Sequence, residues 1–145
     1  MSTLTPLIII AAIGGISITL QSQFMGLMDK QIGTLESVFI TYGGGGLLIG
    51  LVMLLNRGGN LAAWQGVPYY ALFTGALGLV IVGTIGYSTA RLGLVTVLTI
   101  IVAAQLITGA FLDHFGVLGA DLRPLNLTRI SGIGLLLLGT WLVVR

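Results

Sequence analysis

The sequence predicts an all-α integral membrane protein with about five transmembrane helices in one domain, residues 1–145. Of the 145 residues, 56% are hydrophobic and only 7% are charged, whereas about a quarter of the residues in a soluble domain are charged. The apolar residues form runs of the length that a helix needs to cross a hydrocarbon core of roughly 30 Å. Barrel strands would instead alternate in polarity over about ten residues. The sequence therefore indicates membrane-spanning helices.

Each predicted span ends where charged residues, glycine or proline interrupt an apolar run. The five spans cover residues 4–28, 34–55, 69–90, 93–113 and 127–144. The first is predicted to stop at Asp29 and Lys30, and the second stops just before Arg57. No basic segment precedes the first run, so we expect that it is retained as a span and is not cleaved as a signal peptide.

The connections between the later spans differ in length. The turn Arg91-Leu92-Gly93 is so short that the third and fourth spans must form a hairpin. The longest polar connection covers residues 113–127 and precedes the fifth span. Amphipathic rings favour the headgroup layer. We therefore expect Trp64, Tyr69 and Tyr70 to anchor the start of the third span at the membrane interface.

The six basic residues are divided equally between the two sides of the membrane. With the N-terminus outside, the cytoplasmic group is Lys30, Arg91 and Arg145, and the external group is Arg57, Arg123 and Arg129. Because an excess of Lys and Arg normally sets orientation, this tie leaves the orientation open. Either the chain inserts both ways and forms an antiparallel dimer, or a partner or the translocon decides. Isolated basic residues form no patch for nucleic acid.

Two of the amides in the predominantly apolar spans are candidates for a functional role. Gln105 is near the middle of the fourth span and Gln21 is in the first. A polar group in the membrane interior must find a partner or water. Such groups could line a solute path, or they could bond across a helix–helix contact in which small residues allow close approach. The candidates for the solute path are Gln21, Gln105, Ser17, Met25 and Thr108.

Glycines are concentrated in the second span, which contains four in succession, residues 43–46, and Gly50. Each costs a helix roughly 1 kcal/mol against alanine in water, so something must offset them. Tight helix packing is one explanation, and local unwinding or hinge motion is the other. The packing or hinge candidates are Gly43, Gly46, Gly50 and Gly109.

The ionisable residues fall near the ends of the predicted spans. Glu36 either caps the positive end of its helix or acts as a gate, and Asp113 is a gate or latch that could pair with Arg123 or Arg129. A membrane interior without titratable groups argues against proton-driven exchange. With no cysteine and only His114 as histidine, we expect no enzyme activity, no metal site and no cofactor.

Several short segments together resemble the YdcZ-type branch of the drug/metabolite transporter superfamily. The specific part is Ala-Gln105-Leu-Ile-x-Gly109 followed by Leu112-Asp113-x-Phe115-Gly116. The match extends to Leu20-Gln21 and to Gly139-Thr-Trp141-Leu-Val, and therefore covers nearly the whole chain. One departure is Met25, which stands where an asparagine is often expected.

The resemblance implies a multi-pass inner-membrane (plasma-membrane) exporter of small solutes, equivalent to half of a ten-helix transporter. It also implies assembly in the bilayer as an inverted homodimer or with a sister chain, with Gln21 and Gln105 facing a central cavity. Two alternatives remain open. A small dual-topology channel would suit the lack of ionisable groups in the spans, and a non-transporting accessory subunit would use its glycine faces only to pack on a larger complex.

Overall fold

The computed structural model describes residues 4–145, in which every regular element is helical. The five α-helices are α1 (Leu4–Ile32), α2 (Thr34–Leu55), α3 (Thr74–Leu92), α4 (Leu94–Phe115) and α5 (Leu127–Val144). With a short 3₁₀ helix extending α3 at its start, all five are long and apolar enough to cross a membrane. The predicted all-helical fold with five spans is confirmed.

The helices form two compact units. The first contains α1, α2 and α3 and ends at Arg91, and the second, Leu92–Arg145, contains α4 and α5. Within the first unit α1 packs on α2, and within the second α4 packs on α5. Most large apolar side chains on these helices are exposed. Because so few of them are buried within the chain, lipid or another protein must cover the others.

Helix α1 is longer than the first predicted span, residues 4–28. The helix continues to Ile32 and ends at Gly33, which has φ 98°. A side chain other than glycine is strained at such a φ, whereas glycine adopts it freely. Asp29 is buried and ion-paired, so its charge can stay inside the helix. Helix α2 begins at the next residue.

The connection before α3 is partly ordered as short helices. The 3₁₀ segments Leu61–Gly66 and Tyr69–Phe73 hold the three aromatic residues of the expected interfacial anchor, whose side chains are exposed. After α3 the turn is shorter than expected, because Gly93, with φ 82°, is the only residue between Leu92 and α4.

Candidate functional site

A groove on the second unit brings together three of the residues singled out from the sequence. Gln105, Gly109 and Asp113 are spaced by four along α4, so they share one face of the helix. Together with Arg129 and Ile133 of α5 they line a groove of ≈ 290 Å³. A Cβ built on Gly109 would have no atom within 4 Å, so the floor of the groove is open. The groove is apolar except for one amide and one ion pair.

The ion pair closes one end of this groove. Asp113 Oδ2 lies 3.4 Å from Arg129 Nη2, which confirms one of the two partners predicted for Asp113. The carbonyl oxygen of Asp113 also accepts a hydrogen bond from Arg123 N at 2.8 Å. At the start of α5, Asn126 Oδ1 accepts a hydrogen bond from Arg129 N at 2.8 Å and caps the helix. Asp113 therefore ties the end of α4 to the start of α5.

His114 has a local structural role. Its Nδ1 accepts a hydrogen bond from Leu125 N at 3.1 Å, which fixes the loop that leads to α5. Its ring also packs edge-on against Phe115, with the ring centroids 4.8 Å apart. Among residues 4–145 no three His, Cys, Asp or Glu side chains come together in a group that could hold a metal ion. This arrangement positions the loop that precedes α5.

The two hydroxyl candidates are hydrogen-bonded within their own helices. Ser17 Oγ donates to the carbonyl oxygen of Ile13 at 2.9 Å, and Thr108 Oγ1 donates to that of Ala104 at 2.9 Å. A hydroxyl that is satisfied in this way needs no further partner. Both residues are exposed and could still line a path, but their presence in the membrane is explained without one.

The two candidates on α1 in the first unit lie in different environments. Gln21 is exposed, whereas Met25, about one turn further on, is only 1% exposed. Met25 was expected to line the solute path, but it packs against α3. A Cβ built on Gly86 would lie 3.3 Å from Met25 Cε, so Gly86 is what allows α3 to approach Met25 this closely. Met25 belongs to the core of the first unit.

The glycine face of α2 is not covered within the part of the chain that the structure describes. A Cβ built on Gly43, Gly46 or Gly50 would have no atom within 4 Å. The expected tight packing is therefore not made by residues 4–91 of the same unit.

Glu36 is also exposed, in the first turn of α2. Its side chain bends back over Gly33, with Oε2 2.7 Å from where a Cβ of Gly33 would be.

A polar cluster in the first unit was missed by reasoning from the sequence. The side chain of Asp29 is only 4% exposed, and its Oδ2 lies 2.9 Å from Arg91 Nη1. Its Oδ1 accepts a hydrogen bond from the Thr34 hydroxyl. Ser37, which is fully buried, donates to the carbonyl oxygen of Thr34 at 2.9 Å. The signal that could have identified this cluster is opposite charge, Asp29 and Arg91, near the ends of two spans on the same side of the membrane.

A family model matches nearly the whole chain. The model described as "Putative inner membrane exporter, YdcZ" matches residues 6–142. Comparisons with curated proteins and with solved structures give no match. The match agrees with the five membrane-length helices and indicates a multi-pass transporter of the inner membrane that handles a small-molecule solute. The chain belongs to the YdcZ family of inner-membrane exporters.

Proposed function

We propose that this exporter moves a small solute by alternating access in an inverted dimer, with Gln21 and Gln105 on the solute path. The observation that carries the proposal is the exposure of both amides on the surfaces of predominantly apolar helices. A lone chain in a bilayer would present both amides to lipid.

Exposure to lipid is costly for an amide. A polar group without a hydrogen-bond partner in hydrocarbon costs on the order of several kcal/mol. A second subunit removes this cost if it encloses the amides in a cavity that water and solute can enter. Uncharged amides can donate to and accept from a polar solute without binding an ion of their own. The groove at Gln105, with the open floor at Gly109, provides space for such a solute.

The equal division of basic residues supports inversion of one copy. Three Lys or Arg residues on each side give neither orientation an advantage. Gln105, close to the middle of its span, keeps its depth when the chain is inverted, so two copies place their amides at one level. Asp113 lies at the end of α4. In an inverted dimer one Asp113 is therefore near each surface of the membrane, where it serves as a latch. A sister chain of opposite orientation would satisfy the same geometry.

Flux into liposomes tests the proposal. Small solutes that raise the melting temperature of the purified protein are identified first, and their uptake into proteoliposomes is then measured against concentration. We expect saturable uptake and a two-copy assembly. Ohmic single-channel conductance without saturation would instead identify a channel. If the chain is isolated only with a fixed larger partner and shows no flux, it is an accessory subunit.

A further inference from the structure

We propose that Asp29 and Arg91 form a gate that closes one end of the three-helix unit and opens during each transport cycle. The proposal rests on the proposed function, because a gate requires a cycle to open it. Asp29 lies in the last turn of α1 and Arg91 in the last turn of α3. Near the ends of these spans water can reach the pair when it separates, so opening does not expose the charges to hydrocarbon.

All three helices of the unit meet at the Asp29 carboxylate. Asp29 itself belongs to α1, Oδ1 is bound by Thr34 at the start of α2, and Oδ2 is bound by Arg91 of α3 at 2.9 Å. Both oxygens are therefore engaged, and the side chain is almost completely buried. A buried carboxylate that loses its cation is strongly disfavoured, so α3 can move away from α1 only if water or another group replaces Arg91.

Arg91 has a second place to bind on its own helix. Nη1 also donates to the carbonyl oxygen of Tyr87 at 2.7 Å, and Cζ lies 3.5 Å from the centroid of the Tyr87 ring. A guanidinium over an exposed aromatic ring gains about 0.5–1 kcal/mol. The Arg91 side chain is 48% exposed. When the gate opens, Arg91 thus remains bound to α3 and in contact with water. The free energy of the open state is therefore low enough for that state to be populated.

The packed core next to this gate contains buried polar side chains. Thr89 is 6% exposed, and its Oγ1 is buried without a hydrogen-bond partner among the described residues. Ser22 and Ser37, which are also buried, both donate to carbonyl oxygens of their own helices. The absence of Cβ from Gly26 lets α1 approach α3, since a Cβ there would lie 2.8 Å from Thr89 Cγ2. An unpaired hydroxyl in this closed interior is a binding position for water or for a polar group of the solute once the gate opens.

The absence of cysteine from the chain makes the gate directly testable. In a Ser37→Cys variant the single thiol lies in the fully buried position beneath the gate. Its rate of reaction with N-ethylmaleimide in liposomes reports how often the interior opens. We expect slow labelling in this background. Adding Asp29→Asn or Arg91→Gln should raise the rate about tenfold, which corresponds to ~1.4 kcal/mol in the opening equilibrium.

The matched control is Asp121→Asn. It breaks the pair between Asp121 and Arg123, whose side chains are 84% and 63% exposed, and should leave labelling unchanged. The two gate substitutions combined should accelerate labelling no more than either one alone, because they remove one contact. Arg91→Lys, which keeps the charge and the fold but loses the planar group, should give a smaller increase.

Three results would overturn the gate: unchanged labelling in all the gate variants, an equal increase in Asp121→Asn, or additive effects of the two gate substitutions. Labelling requires no solute, so the outcomes are separable from those of the flux experiment. Saturable flux with unchanged labelling would overturn the gate alone. The protein could instead show faster labelling in the gate variants but no saturable flux. That result would overturn the transport proposal and would still establish that this unit opens.

Discussion

Hydroxyl and amide side chains behave differently on these apolar helices. Thr84 Oγ1, for example, donates to the carbonyl oxygens of both Val80 and Ile81, at 2.8 and 3.0 Å. A threonine can therefore face lipid at little cost because its own helix satisfies it. The longer glutamine side chain, with two donors and a two-lone-pair acceptor, is not satisfied by one such carbonyl. For this reason the exposed Gln21 and Gln105 carry more functional information than the hydroxyls.

Replacing both amides should slow transport strongly without harming the fold. In the variant Gln21→Leu with Gln105→Leu, we expect uptake into proteoliposomes to fall at least about tenfold, the effect of losing ~1.4 kcal/mol of solute interaction. The melting temperature should not fall, because both positions are exposed within the chain and leucine is a good helix former. Gln65→Leu, in the connection between α2 and α3, is the control amide and should keep the parent rate. Parent-rate uptake by the double variant would remove both amides from the solute path.

The close contact at Gly26 predicts a large effect from one methyl group. In Gly26→Ala the added Cβ would lie 2.8 Å from Thr89 Cγ2, and overpacking of this kind costs about 1–3 kcal/mol. Unfolding in mixed detergent micelles should therefore show a lower free energy of unfolding. Gly15→Ala in the same helix, with no atom within 4 Å of its Cβ, should be neutral or slightly stabilising. Equal losses at both positions would show that α1 and α3 do not pack as described.

At the scale of elements, α2 is the helix with a conspicuous uncovered face. Gly46 lies on the same face as Gly43 and Gly50, whereas Gly45 points to the other side of the helix. If the open face contacts a second copy, Gly46→Ala should weaken dimerisation about tenfold by preventing close approach. Gly45→Ala is matched in chemistry and should leave dimerisation unchanged. Energy transfer between labelled copies diluted in liposomes measures this, and equal effects would place the contact elsewhere.

The pair that joins α4 to α5 should affect flux more than stability. Asp113 and Arg129 side chains are 36% and 41% exposed, and ion pairs as exposed as this contribute about 0–1 kcal/mol. Asp113→Asn should therefore change the free energy of unfolding little but slow uptake if the pair latches the groove. Asp121→Asn, which breaks another exposed pair, is the control for flux and stability. A large loss of stability with normal flux would assign Asp113 a purely structural role.

Hydropathy predicted the helices well but not the partners of their side chains. Five apolar runs were sufficient to place the spans, because the length required by the bilayer is a property of the sequence alone. Residues 29–30 predict the end of the first span, but their position in the sequence does not show that one of them has a distant partner. Asp29 is buried and paired with Arg91, 62 residues away, and that contact depends on packing. The contact between Met25 and Gly86 likewise depends on how α1 and α3 pack, which hydropathy does not predict.

For the whole molecule, the even charge distribution predicts that single charges control orientation. Gln31→Lys adds a positive charge beside Lys30, and Asn60→Lys adds one on the side of Arg57. Each variant then has four basic residues on one side of the membrane and three on the other. Under the positive-inside rule the two variants should adopt opposite fixed orientations. Each alone should lose flux, and co-expression of both should restore it. Two-sided labelling of a terminal tag measures orientation. A single orientation of the parent chain would exclude the inverted homodimer and favour a sister chain.

The junction at Gly33 also has a consequence for biogenesis. Because one residue joins α1 to α2, there is no hydrophilic loop at that point to carry across the bilayer. The pair can enter the membrane as a helical hairpin, so that only a short turn with Lys30 and the ion-paired Asp29 crosses in one of the two orientations. A glycine that only terminates a helix in the finished protein would thus also keep the barrier between the two insertion routes low during synthesis.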